Sequence, residues 1–237
     1  MTLSINWTRA GAVLFDLDGV VTPTARIHER AWAGLFADYD FTPDDYLAYV
    51  DGRPRYDGVQ TFLRSRGVEL PWGDPTDPPS DTTICAMGNR KNDAFNAVLE
   101  RDGIAPYPGT MLVVDMLDAA GVPSAIVSSS RNARAVLAAA GITERFVTIV
   151  DGTTAAEEHL AGKPDPAMFL AAAAHVGVDA SRCIVVEDAT SGVAAGAAGG
   201  FALVVGIDRG GNREALLASG ADLVVDDLDE TVVSSRP

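Results

Sequence analysis

Asp16 and Asp18 stand in the pentapeptide Phe15-Asp16-Leu17-Asp18-Gly19, at the end of the apolar run Ala12-Val13-Leu14. Residues i and i+2 share a face of a strand. Once the chain turns beyond the strand end, both carboxylates can converge on one point above a sheet edge. Carboxylates gathered there repel one another unless a cation joins them, and a hard cation such as Mg²⁺ takes oxygen ligands. Gly19 permits the sharp turn and close backbone approach that such a site needs. Taken alone, an ordinary acidic strand-to-loop turn gives the same pattern. Other apolar runs are also followed by polar residues. Ser128, Ser129 and Ser130, then Arg131-Asn132, follow Ile126-Val127; Glu187-Asp188 follow Ile184-Val185-Val186; Lys163 precedes Pro164-Asp165-Pro166.

Together these residue types suit phosphoryl transfer. A carboxylate such as Asp16 can attack phosphorus and form an aspartyl phosphate, splitting one hard displacement into two. Asp18 can carry a proton to and from the leaving and entering oxygens. Mg²⁺ held by Asp16, the Asp18 backbone carbonyl and Asp188, with Glu187 beside them as a further acidic candidate, offsets charge on the transferring group. Ser128 and Lys163 can bind the phosphoryl oxygens, with Gly19, Ser129 and Ser130 as neighbouring candidates. Each piece has a plainer reading. The serines and Glu187-Asp188 can cap helices, and a loop lysine is by default solvated. Four such coincidences, in order and each at a strand end or loop, favour the chemical reading.

These residues need a scaffold that brings strand ends together. Ala125 to Val127, Val147 to Val150, Ile184 to Val186, Leu203 to Val205 and Leu223 to Val225 are short, continuous runs rich in Val and Ile. Such runs suit a parallel sheet covered on both faces. Between them lie helix-like stretches at Met111 to Ala120, Arg131 to Ala140, Pro166 to Val176, Ser191 to Ala198 and Arg213 to Ala218, with Gly121, Gly141 and Gly177 where helix C-terminal caps belong. The expected fold is an α/β doubly wound parallel sheet, Rossmann-like, whose ligands bind beyond the carboxyl ends of the strands. Residues 25–105 differ: helical segments such as Ile27 to Phe36 and Lys91 to Arg101, no clear β run, and a rigid loop at Pro71-Trp72-Gly73-Asp74-Pro75. A helical insert over 25–105 is therefore expected within a core formed by residues 1–24 and 106–237.

The chain has 237 residues, 47% of them hydrophobic and 22% charged, which describes a globular protein with a substantial core. Its formal net charge of −15 argues against a nucleic-acid partner, and any phosphorylated ligand must find local cations. No apolar stretch approaches the ~20 residues needed to span a bilayer. No basic-then-apolar leader opens the chain, and Cys85 and Cys183 fit a reduced compartment, so a cytoplasmic, membrane-free protein is expected.

The sequence resembles the haloacid dehalogenase (HAD) superfamily of phosphotransferases, whose four motifs stand in order as DLDGV (Asp16 to Val20), VSSS (Val127 to Ser130), GKPDP (Gly162 to Pro166) and VVEDATSG (Val185 to Gly192). The resemblance covers nearly the whole chain after the first ten residues. The dehalogenase branch lacks the second aspartate, so Asp18 implies phosphorus chemistry. Within the superfamily the chain most resembles the β-phosphoglucomutase family, through the Thr-Ala-x-x-His-x-x-Ala-Trp pattern from Thr24 to Trp32 and the run Arg90-Lys91-Asn92-Asp93. The resemblance implies that Thr24 and His28 join core to helical cap and position the acid/base aspartate. It implies that Arg55, in Gly52-Arg53-Pro54-Arg55, grips the substrate's non-reacting phosphate, that Lys91 faces the sugar, and that Arg131-Asn132 contact phosphate. A second cationic site opposite the metal is what a bisphosphorylated intermediate requires.

Two departures stand out. Pro23 replaces the acidic residue usual before Thr24, which stiffens the linker, and Arg53 and Pro54 have no assigned role. The implied activity is a Mg²⁺-dependent, monomeric mutase interconverting β-glucose 1-phosphate and glucose 6-phosphate through β-glucose 1,6-bisphosphate. A phosphatase acting on a sugar phosphate or other small organophosphate is the rival enzyme, separated from it only by the cap residues. A non-catalytic binding protein is disfavoured because all four motifs are intact.

Overall fold

The computed structural model describes residues 4–51 and 53–232. Six strands, β1 (Ala12–Phe15), β2 (Ser124–Val127), β3 (Thr148–Val150), β4 (Cys183–Glu187), β5 (Leu203–Ile207) and β6 (Leu223–Val225), form one sheet in the order β3-β2-β1-β4-β5-β6. Every pairing is parallel. Chain order therefore departs to either side of β1, and the switch point lies between β1 and β4, where doubly wound sheets bind ligands.

Side chains alternate across the sheet. Val13 and Phe15 of β1 join one buried cluster with Ile126, Val186 and the helix α5 (Pro108–Ala120), which contributes Val113, Val114 and Leu117. Ala12 and Leu14 face the opposite cluster, with Val127, Val185, Met168 and Phe169 of α8 (Ala167–His175) and Val193 of α9 (Thr190–Ala198). Strands buried on both faces read as unbroken apolar runs, which is why they are legible in the sequence. Gly121 ends α5 at φ 68°, the left-handed cap anticipated there.

The helices α1 (Ala25–Leu35), the single turn α2 (Pro43–Asp45), α3 (Arg55–Ser65) and α4 (Ile84–Asp102) follow β1 before the chain reaches α5. They build a third buried cluster of their own around Trp32, Phe36, Phe62, Leu63 and Met87. Phe36 and Phe62 pack at 4.1 Å between ring centroids, and burying each ring contributes about 1.5–3 kcal/mol. The Asp45 carboxylate closes a capping box with Thr42 and pairs with Arg66 at 2.6 Å. The segment 68–83 is irregular, as its prolines require.

Element ends differ from the sequence reading in three instructive places. The helix α5 begins at Pro108 rather than Met111, because proline at N1 loses no hydrogen bond. The helix α6 (Ala133–Ala139) begins after Arg131-Asn132, because serine hydroxyls occupy the preceding amides. Glu187 is the last residue of β4, paired with Gly206, rather than the first residue beyond it. The remaining helices, α7 (Gly152–Glu157) and α10 (Arg213–Ala218), pack against β3 and against β5 and β6. Among the described residues no helix is long and apolar enough to cross a membrane.

Candidate active site

The Asp16 amide donates to the Val186 carbonyl at 2.9 Å, which sets Asp16 beside the end of β4. The Lys163 ammonium sits between them, donating to Asp16 Oδ1 (2.5 Å), Glu187 Oε1 (2.6 Å) and the Val127 carbonyl (3.0 Å). All three side chains are buried. Burial pushes the Asp16 carboxyl well above the usual range despite Lys163. Lys163 itself is pushed up, its two carboxylate partners outweighing the cost of burying an ammonium.

Glu187 Oε2 accepts the amides of Asp188 and Ala189, both at 3.1 Å. With Oε1 on Lys163, this carboxylate is held from two sides just ahead of α9. Gly192 makes room for it: a Cβ there would overlap the Glu187 carboxyl group. Gly192→Ala is therefore expected to displace Glu187, cost about 1–3 kcal/mol as an overpacking change, and lower turnover with it. Paired thermal melts and rate measurements on the variant check both effects.

Asp16, Glu187 and Asp188 each bring a carboxylate oxygen within 4.8 Å of the other two. Asp188 is pushed well above the carboxylate range by burial and then by the neighbouring charges of Asp51, Asp16 and Glu187. Oxygen donors that are buried or half-buried and mutually repelling fit a hard divalent cation, which relieves their charge. Gly19, at φ 92°, passes so close that a Cβ would overlap the Asp188 carboxyl group.

The Asp18 carboxylate is outside that trio. Thr24 Oγ1 donates to its Oδ1, and His28 Nε2 lies 3.4 Å from the same oxygen. Burial opposes its ionisation, but the His28 and Thr24 contacts bring its pKa down to about 2. Thr24 heads α1, so Asp18 is wired to the first helix after β1, and Pro23 does not prevent that contact. His28 stacks on Phe95 of α4 at 4.2 Å and its Nδ1 meets the Lys91 ammonium. Burial, then the nearby Arg55 charge, brings Lys91 down to about 7. Its ammonium also lies 4.9 Å from the Trp32 ring centroid.

On the far side of the cleft, Asn92 Oδ1 accepts from both Arg55 Nη2 and Asn132 Nδ2 at 2.6 Å each. This joins α3, α4 and the loop after β2. Ser128 Oγ accepts the Ser130 amide and Ser130 Oγ accepts the Asn132 amide, both at 3.1 Å, so these serines shape that loop. Ser129, Ser130, Arg131 and Asn132 line the same cavity of about 70 Å³ as Asp16, Asp18, His28, Arg55, Lys91 and Asp188. Gly52 lies outside the described residues. Arg53 lines the cavity, and Pro54 lies against the site of Gly162, next to Lys163.

Sequence reasoning missed Tyr46 and Asp51, which both line the cavity, and the bridging role of Asn92. Asp51 lines the cavity with a pKa raised by burial to about 6. It precedes the Gly52-to-Arg55 segment, which was its only signal. Nothing in the sequence marked Tyr46.

Known proteins resemble this chain over most of its length. A family model described as haloacid dehalogenase-like hydrolase matches residues 10–200. A beta-phosphoglucomutase from Mycobacterium bovis is 48% identical, over 92% of this chain and 90% of its own length. Hexitol phosphatase A from Escherichia coli is 29% identical, over 97% of this chain and 96% of its own length. The crystal structure of beta-phosphoglucomutase from Clostridium difficile matches with a TM-score of 0.77 at 26% identity, covering 94% of each chain. With the site and these relatives together, the chain belongs to the HAD superfamily, in its β-phosphoglucomutase-like family, and is an enzyme of the phosphotransferase or phosphatase kind.

Proposed function

We propose that this enzyme is a Mg²⁺-dependent β-phosphoglucomutase that passes a phosphoryl group through Asp16. The observation that carries this reading is the wiring of Asp18. Its carboxylate accepts from Thr24, the core residue that caps α1, and lies beside His28 of the helical insert, so proton transfer is tied to closure of residues 25–105 over the core of 1–24 and 106–237. A mutase needs that link, because its phosphorylated enzyme must meet a sugar hydroxyl and not water.

In the first half-reaction the phosphoryl group on Asp16 passes to the C6 hydroxyl of β-glucose 1-phosphate, and the hydroxyl proton moves to Asp18. The resulting 1,6-bisphosphate turns end for end. Asp16 then attacks the C1 phosphorus, the bond to O1 breaks, and Asp18 returns its proton to O1. An aspartate held ionised near pH 7 is suited to take the first of these protons. Lys163 and Ser128 hold the transferring group, with Gly19, Ser129 and Ser130 around it. Arg55, Arg131 and Asn132 hold the other phosphate, and Lys91 faces the sugar. Asp16, Asp188 and the Asp18 carbonyl, with Glu187 alongside, would hold Mg²⁺, which would supply charge neutralisation for the transferring phosphoryl group. The two cysteines are free and buried, in keeping with a reducing, cytoplasmic setting.

Lys91 gives this reading a pH signature. With a pKa near 7 it is an ammonium below that pH and neutral above it. An anionic substrate binds the ammonium better, so KM is expected to rise as pH passes above 7, by at most about tenfold per pH unit. Lys91→Met should flatten the rise, and comparison of the two profiles removes the substrate's own titration.

The rival reading, a phosphatase, is favoured by the likeness to the hexitol phosphatase. Incubation with Mg²⁺, β-glucose 1-phosphate and a trace of the 1,6-bisphosphate separates the two. Glucose 6-phosphate in large excess over free phosphate is the expected product; mainly free phosphate makes the protein a phosphatase.

A further inference from the structure

The loop after β5, Asp208–Asn212, has no part in the chemistry above, yet it braces both acidic loops. Asp208 Oδ1 folds it tightly by accepting the amides of Gly210 (3.2 Å), Gly211 (2.5 Å) and Asn212 (2.9 Å). From that turn Asn212 Nδ2 donates to the Asp188 carbonyl at 3.3 Å, and Arg209 Nε donates to the Gly19 carbonyl at 2.9 Å. Arg209 Nη1 also reaches the Asp226 carbonyl and Asp227 Oδ2, each at 3.1 Å. The guanidinium carbon lies 3.8 Å from the centroid of the Tyr107 ring, where the chain returns from the helical insert.

Inside the turn that carries Asp18, the Val21 and Thr22 amides both donate to the Leu17 carbonyl, at 3.0 and 2.9 Å. Gly19 donates to the Thr22 carbonyl at 2.8 Å. Thr110 Oγ1 takes the Val20 carbonyl at 2.6 Å and the Tyr107 amide takes the Val21 carbonyl at 2.9 Å. The Gly19 carbonyl is left to Arg209. Glycine is the residue with the widest backbone freedom, and here it adjoins the proton-carrying aspartate.

We propose that Arg209 is a positioning residue: by fixing the Gly19 carbonyl and stacking on Tyr107, it holds Asp18 in register with both the nucleophile and the return of the chain from the cap. This rests on the reading of Asp18 as the group that moves the sugar-oxygen proton. Its planar fork and face let one side chain bond the turn, pair with Asp227 and stack at once, which an ammonium cannot do. Displacement of a catalytic group by about 1 Å costs as much as 10²-fold in rate.

The test compares two substrates on Arg209→Met, Arg209→Lys and Asp18→Asn. Turnover of β-glucose 1-phosphate needs the proton carried by Asp18. The burst of 4-nitrophenolate from 4-nitrophenyl phosphate does not, since that leaving group departs unprotonated. Arg209→Met is expected to lower kcat on the sugar phosphate about 10- to 100-fold, with KM changed less than about threefold and the burst rate nearly unchanged. Arg209→Lys, which keeps charge and one donor, should fall between, and it serves if the Met variant does not fold. Equal loss on both substrates, or loss on neither, overturns the proposal. Asp18→Asn is the reference: if it does not spare the burst while losing sugar-phosphate turnover, the reading of Asp18 fails, whatever Arg209 does.

Discussion

Asp16→Asn is expected to lower kcat by at least about 10⁴-fold while leaving the fold intact. The magnitude is that of removing a covalent nucleophile from a site whose other groups remain. An amide oxygen can still accept from Lys163, so the buried ammonium keeps a partner there as well as on Glu187 and the Val127 carbonyl. The substitution also removes one of the carboxylates that repel one another in the site, so the loss of charge is partly offset. A melting temperature within a few degrees of wild type, measured beside the rate, separates lost chemistry from lost structure. Wild-type-like turnover in a folded Asp16→Asn protein would exclude Asp16 as the phosphoryl carrier.

Lys163→Met should be the most destabilising single change at the site. It removes the ammonium shared by Asp16 and Glu187 and leaves two buried carboxylates facing one another. Breaking a buried pair in this way costs about 3–5 kcal/mol. For a chain of this size that lowers Tm by roughly 2–4 °C per kcal/mol. The sign of the pH dependence is distinctive. Without Lys163 the folded-state pKa of the Asp16 carboxyl rises further above its unfolded value, so the folded protein holds more protons than the unfolded chain. Stability of the variant is then greatest at low pH and falls as pH rises through that pKa. In the wild type the raised Lys163 pKa makes its contribution present below the ordinary lysine range and lost only above it. Melts at pH 5 and pH 7 should show the variant losing more at pH 7, and the reverse order would rule out uncompensated carboxylates as the cause.

Much of this was legible in the sequence because burial and chemistry both leave local marks. The strands are apolar on both faces, so periodicity and flanking glycines located them within a residue or two. Strand ends then named Asp16, Ser128 and Asp188 directly. Lys163 could be named as a site residue but not as a buried one; the sequence holds no record that Glu187, 24 positions away, would face it. The role of Glu187 was blurred for the same reason. Its two oxygens are already engaged by Lys163 and by two amides, which only the β4 register discloses. Asn92 was quoted within a motif, yet its bridge from Arg55 to Asn132 joins residues 37 and 40 positions away, beyond any local pattern. Arg209 left no mark at all. Its importance comes from three segments meeting on one guanidinium, 190 positions from Gly19.

The central claim is tested most directly by locating the phosphoryl group on the protein. Wild-type enzyme exposed briefly to Mg²⁺ and β-glucose 1,6-bisphosphate, quenched in acid and mapped by peptide mass, should carry phosphoryl on Asp16, and the Asp16→Asn protein should carry none. Phosphoryl on another residue, or none on an enzyme that turns over the sugar phosphate, would contradict transfer through Asp16.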